Sequence, residues 1–328
     1  MQAATQRDIA LREVTLRITE QGSGPLVLLC HGWPELGYSW RHQIPVLAQA
    51  GYHAVAPDMR GYGGSSVPSE VEAYAITELV GDMVALVAAL GESRACIIGH
   101  DWGATVAWAA ALLRPDLFTC VAALSVPHRD RNAAGPPMQL LRKAGLDNFY
   151  WFYFQKEGEP EAEFERDLDG AMRQVLVGGS GDSQSESGTL LMVPPGQGFL
   201  RGGPVAAPLP AWLQEADIAE YAAAFRRNGM RGPFNWYRNI ERNWRLLAPF
   251  QGAKVAPPAL FVAGARDPVI ATPLGRAALD ALDASVPRLR ERVLIPGGGH
   301  WIQQEKPAEV NAALLKFLAA DYPVSPAS

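Results

Sequence analysis

Cysteine is scarce in this 328-residue chain, which carries only Cys30, Cys96 and Cys120. Their odd number and unpaired spacing exclude a disulfide framework and a zinc-finger cluster, and their apolar neighbours mark them as buried thiols. No stretch stays apolar long enough to cross a bilayer, and the first residues lack a signal-peptide core. A soluble cytoplasmic protein with no membrane partner is the expectation. Neither charge dominates: 29 basic residues stand against 34 acidic ones, the net charge is −5, and no long run of either sign occurs. That balance argues against nucleic acid as a partner and favours a small or neutral molecule. No histidine, cysteine and carboxylate cluster has metal-ligand spacing, so no metal is expected.

What is present is a rhythm. Short apolar runs recur between turn residues at Leu26–Cys30, His53–Ala56, Ala95–Ile98, Val121–Leu124, Ala259–Val262 and Arg292–Ile295, and they read as buried strands. Thr77 to Leu90 has apolar residues at three-and-four spacing before Gly91, the pattern of an amphipathic helix with a glycine stop. Alternation of this kind implies an α/β protein with a mostly parallel sheet covered on both faces. It breaks after Leu124 and resumes only at Ala259. The expected organisation is a core of residues 1–127 and 246–328 with a mainly helical cap inserted at 128–245. Inside the cap, Gly178–Gly188 and Val193–Pro210 are rich in small residues, glycine or proline and read as long loops. A last helix starts near Pro307, with Val310, Leu314, Phe317 and Leu318 on one side.

The segment Ala95-Cys-Ile-Ile-Gly-His-Asp101-Trp-Gly103 reads as strand, sharp turn and helix, with Gly99 and Gly103 flanking Asp101. This is the pattern of a nucleophile elbow, where a strained turn lifts its central side chain above the sheet. Serine esterases have G-x-S-x-G here, but that pattern is absent from the chain. The candidate nucleophile is therefore a carboxylate, although Asp101 is equally suited to capping the helix that follows. Asp267 lies just past the Ala259–Val262 run and His300 on a glycine-rich loop after the final one. Alone, each suits turn chemistry. Together they complete the order nucleophile, acid, histidine used by the α/β-hydrolase fold. An imidazole with a pKa of about 6.5 takes a proton from water near neutral pH when a carboxylate fixes its tautomer.

His31-Gly-Trp-Pro34, Tyr38-Ser-Trp-Arg-His-Gln-Ile-Pro45, Asp58-Met-Arg-Gly-Tyr-Gly63, Gly99-His-Asp-Trp-Gly103 and Gly299-His-Trp-Ile-Gln-Gln-Glu-Lys-Pro307 together resemble the epoxide hydrolases, both soluble eukaryotic and bacterial. The resemblance runs from about Leu16 to Phe317 and implies the α/β-hydrolase fold, no cofactor and a small hydrophobic epoxide as substrate, in a monomer or homodimer. It implies backbone N–H donors for an oxyanion hole at Trp33 and Trp102, and a substrate pocket lined by His31, Trp33, Pro34, Trp102 and Trp301. In the cap, Phe149-Tyr150-Trp-Phe-Tyr153-Phe-Gln155 and Phe234-Asn-Trp-Tyr237-Arg-Asn239 resemble the segments carrying a pair of proton-donating tyrosines, Tyr150 and Tyr237. Tyr153 sits about one helical turn beyond Tyr150, so a shifted helix exchanges them.

The pair suits an aspartate nucleophile, because epoxide opening makes an alkoxide and a phenol with pKa about 10 is still protonated at neutral pH. Haloalkane and haloacid dehalogenases share the Asp-His-Asp set. Trp102 follows Asp101 as a tryptophan follows the nucleophile in the haloalkane group, but Trp33 stands where that group commonly carries a halide-binding asparagine, the haloacid group usually carries arginine where Trp102 stands, and a halide leaves without a proton. A non-catalytic hydrolase-fold protein that captures a small ligand is the remaining alternative.

Overall fold

Eight strands join in one sheet in the order β1-β2-β4-β3-β5-β6-β7-β8: Thr5–Ala10, Thr15–Gln21, Leu26–Cys30, His53–Pro57, Ala95–His100, Phe118–Leu124, Ala259–Gly264 and Leu289–Ile295 for β1 to β8 in chain order. The computed structural model describes residues 3–131, 134–183, 191–201 and 208–324. β1 pairs with β2 and β2 with β4 antiparallel, and every other neighbouring pair is parallel. Every residue of β3, β5 and β7 is buried. That explains why these strands are continuous apolar runs with no alternation: helices cover both faces of the sheet. All six expected runs are strands. The antiparallel pair at the start was not legible, because edge strand β1 buries only Ile9 and its other residues are exposed.

The expected helix after Thr77 spans Ile76–Ala89, and the last helix spans Pro307–Asp321 with Val310, Leu314, Phe317 and Leu318 buried. Each such side chain removed from water contributes about 1.5–3 kcal/mol before the entropy of ordering it is counted. Among the described residues no helix is long and apolar enough to cross a membrane.

Between β6 and β7 the chain builds a helical layer with elements at Pro137–Lys143, Tyr150–Phe154, Glu159–Glu165, Leu168–Gly179, Glu215–Asn228, Arg231–Arg238 and Ile240–Leu246. It is fastened to the core by polar contacts. Tyr38 donates its hydroxyl to Asp217 Oδ1 at 2.7 Å, Trp236 Nε1 donates to Arg60 O at 3.1 Å, and Ile76 N donates to Asn243 Oδ1 at 2.8 Å. The expected boundary between residues 245 and 246 falls inside the Ile240–Leu246 helix. The expected loop at Gly178–Gly188 begins too early. Gly178 and Gly179 close the Leu168–Gly179 helix, whose buried face, including Leu168, Met172, Val175 and Leu176, carries helical geometry through both glycines. The rest of that stretch lies partly outside the described residues, as does part of Val193–Pro210.

Candidate active site

Asp101 occupies the turn between β5 and the Trp102–Leu113 helix with φ 52° and ψ −119°. Such a backbone costs about 1–3 kcal/mol for a residue with a Cβ. The turn is tight enough to demand glycine on either side: a Cβ on Gly99 would stand 2.0 Å from Gly103 O, and one on Gly103 would stand 2.1 Å from Cys30 O. The Asp101 side chain makes no cap hydrogen bond to its helix. Instead Oδ1 accepts the Trp33 N–H at 2.8 Å, across from the loop after β3. The helix-cap reading therefore fails at Asp101. At Asp267 it holds alongside the other role: the carboxylate accepts Val269 N–H at 2.8 Å and caps the Pro268–Ala271 turn while facing His300.

His300 stands between the two aspartates. Its Nδ1 lies 3.1 and 3.2 Å from the Asp267 oxygens and its Nε2 lies 3.6 Å from Asp101 Oδ2. A carboxylate only accepts, so the proton of neutral His300 sits on Nδ1 and the Nε2 lone pair points toward Asp101. Burial alone lowers the His300 pKa, but Asp267 and Asp101 outweigh it and hold the pKa well above its ordinary value.

Across from Asp101, the rings of Tyr150 and Tyr237 lie 5.6 Å apart at 71°, and both phenols interact with one another and feel the Asp101 carboxylate. Burial, then the Asp101 charge, raises the Tyr150 phenol against a smaller opposing effect of its bond to Tyr237, while burial, then Tyr150 and Asp101, raises the Tyr237 phenol, so both stay protonated well into alkaline solution. Tyr153 is turned elsewhere: it bonds Glu163, with Lys156 over its ring. The two tyrosines differ in what surrounds each hydroxyl: Tyr237 and the Asp101 charge for Tyr150, Glu163 for Tyr153. Further aromatic rings pack around Tyr237. Trp33 contacts Phe154 at 5.2 Å, Phe199 at 5.8 Å and Tyr237 at 5.9 Å, while Trp102 lies 5.2 Å from Tyr237.

The α/β hydrolase fold family model matches residues 25–307. Over 322 residues the chain is 45% identical to epoxide hydrolase A of Mycobacterium tuberculosis (strain ATCC 25618 / H37Rv), which covers 97% of this chain and 98% of that protein. The chain belongs to the epoxide hydrolase family of the α/β-hydrolase fold. An epoxide hydrolase from an endophytic Streptomyces superposes with a TM-score of 0.93 at 44% identity, over 98% of this chain and 96% of that one. The epoxide hydrolase of Caballeronia sordidicola is 39% identical over 312 residues, or 95% of this chain and 92% of that one.

The remaining residues expected from resemblance to the epoxide hydrolases are placed as follows. Trp33 N–H supplies a hydrogen bond to the Asp101 carboxylate, whereas among the described residues Trp102 N–H makes none to it. His31 is fully buried with its Nδ1 against Gly32 O at 2.9 Å and its Nε2 accepting Met59 N–H at 2.9 Å, so both ring nitrogens serve the backbone rather than a ligand. Pro34 is buried, and Trp301 packs on His300 with a centroid distance of 4.7 Å while donating Nε1 to Leu176 O at 2.8 Å.

A buried polar network behind the site escaped the sequence reading. His100 places Nε2 2.7 Å from His300 O and Nδ1 2.5 Å from Glu35 Oε2, and Ser125 Oγ donates to His300 O at 2.9 Å. Gln303 and Gln304 donate to Glu35 Oε1 at 2.8 and 3.1 Å. Burial would raise the Glu35 carboxyl, but His100 and further donors bring it down to about 2. The available signal was polar side chains set among apolar motif residues. Their partners lie far away in sequence, so spacing cannot reveal them.

Proposed function

We propose that the chain hydrolyses an epoxide to a vicinal diol through an ester on Asp101, beneath the helical layer acting as a cap. The observation that carries this reading is the pair of buried phenols, Tyr150 and Tyr237, facing a carboxylate at an elbow. Asp101 Oδ2 attacks a ring carbon from the side opposite the epoxide oxygen while that carbon's own C–O bond breaks, and the oxygen released takes a proton from one phenol. Asp101 Oδ1 becomes the ester carbonyl oxygen, already hydrogen-bonded to Trp33 N–H at 2.8 Å. That donor is in place before charge develops on the tetrahedral intermediate, and Trp102 N–H is the second donor of the reading. His300 Nε2 takes a proton from water, the hydroxide adds to the ester carbon, and the diol oxygen leaves with the proton from His300. The remaining proton of the water restores the phenol. The balance is one epoxide and one water to one diol.

Ester formation also prepares the base. While Asp101 is a carboxylate it raises the His300 pKa; once alkylated it is neutral, and that contribution disappears. His300 therefore sheds its proton more readily when a base is needed. Ester hydrolysis is present above the His300 pKa of the alkyl-enzyme and is lost as pH falls through it, while alkylation does not need neutral His300. An acid limb is expected in kcat that kcat/KM lacks. His300→Gln should retain alkylation, lose about 10²–10⁴ in ester hydrolysis, and accumulate enzyme heavier by the mass of the epoxide. Intact-protein mass spectrometry checks this, and the absence of an adduct with normal turnover counts against the base assignment.

Dehalogenation requires the same Asp-His-Asp set, but no proton for the leaving group. Assay of a small panel of epoxides and alkyl bromides, with diol and bromide both measured, separates the readings. Diol without bromide release supports the epoxide reading, bromide without diol overturns it, and neither product favours simple ligand capture.

A further inference from the structure

The Gly299–Pro307 motif contains a glutamate that the chemistry above leaves unused. Glu305, at the end of the Ile302–Glu305 turn, folds its carboxylate back onto the loop that carries the base. Oε1 accepts Trp301 N–H at 3.0 Å and Oε2 accepts Gly299 N–H at 2.9 Å, so one side chain grips the backbone on both sides of His300. Oε2 also accepts Gly181 N–H at 2.9 Å. Gly181 belongs to the helical insertion, just beyond the Leu168–Gly179 helix.

The same turn is held from other directions. His300 N–H donates to Gly179 O at 2.8 Å, and Arg266, the residue before Asp267, donates Nη1 to Gly181 O at 3.0 Å. The Gly181 residue is therefore bonded through its N–H to the base loop and through its carbonyl to the acid loop. The approach is close: a Cβ on Gly181 would stand 2.2 Å from Gly297 O. Burial raises the Glu305 carboxyl above its usual range, and the three N–H donors offset this only in part. A buried acid with three backbone partners around a catalytic histidine is an alignment device rather than a solvated surface group.

We propose that Glu305 is the positioning residue through which the helical insertion aligns His300, so that ester hydrolysis, but not alkylation, depends on the Gly179–Gly181 turn being docked. The inference rests on the ester reading. A misaligned base loses rate steeply, on the order of tenfold to a hundredfold for a displacement of up to 1 Å, whereas nucleophilic attack by Asp101 uses none of these contacts. In Glu305→Gln an amide N–H₂ must face at least one backbone N–H, whichever way the amide turns. Gly181→Ala disturbs the same junction from the other side without touching Glu305.

The test mixes excess enzyme with styrene oxide, quenches at intervals and follows the rise and decay of the alkylated chain by intact-protein mass spectrometry. For both variants the expected result is decay slowed by about tenfold or more, with the rise within twofold of wild type. Equal slowing of both phases, or unchanged decay with only a lowered melting temperature, overturns the inference and leaves Glu305 a stabilising contact. Absence of any adduct in wild type and in His300→Gln is a different outcome: it overturns the ester reading and this inference with it.

Discussion

Asp101→Ala is expected to lose about 10⁵-fold or more in diol formation while keeping a folded chain. The side chain contributes little to the stability of its own helix, because it makes no cap hydrogen bond there and spends Oδ1 on Trp33 N–H. The backbone strain at φ 52° is common to any residue with a Cβ, so alanine does not relieve or worsen it much. No neighbouring carboxylate can substitute: Asp267 is fully buried and committed to His300 and Val269 N–H. Product analysis under excess enzyme, beside a thermal melt, checks the result. Substantial diol from a folded variant would remove Asp101 from the chemistry.

Replacing Tyr150 and Tyr237 together by phenylalanine is expected to slow ring opening by about 10³–10⁴-fold, and each single replacement by about 10–10²-fold, within the range for general acids. Phenylalanine keeps the ring packing, in which Tyr237 lies 4.9 Å from Phe154 and Tyr150 lies 5.3 Å from it, so stability should change little. What is lost is proton donation to an alkoxide far more basic than phenoxide. Because burial raises both phenol pKa values, alkylation by the wild type should also hold its rate above pH 10, the ordinary phenol pKa, where unperturbed tyrosines would already ionise. Single-turnover alkylation reads both effects. A double variant within tenfold of wild type would transfer the acid role to another group.

The interior of the fold was legible because burial on both faces leaves a strand no polar positions, as in Leu26–Cys30 and Ala259–Gly264. The edge was not, because β1 obeys no such constraint. Asp101, Asp267 and His300 could be found since each follows a strand and two of them stand beside glycines that tight loops require. The tyrosines needed resemblance, as an aromatic ring serves packing and catalysis with the same residue type. Even then, Tyr150 and Tyr153 separate only through their surroundings: Tyr150 bonds Tyr237 and feels the Asp101 charge, whereas Tyr153 bonds Glu163. Glu35 and Gln303, 268 positions apart and 2.8 Å from one another, and Glu305, whose bonded partners at 3.0 Å or less are all backbone N–H groups, could not be read from spacing at all.

The central claim is that the oxygen delivered to the product comes from Asp101 rather than directly from water. A single turnover in ¹⁸O-water with enzyme in excess measures this directly. If Oδ2 of Asp101 forms the ester and water attacks its carbonyl carbon, the first diol carries no label, while the Asp101 peptide gains ¹⁸O and passes it to product only in later turnovers. Full label in the first diol, with none in the Asp101 peptide, would contradict the account and leave attack by a His300-activated water on the epoxide itself.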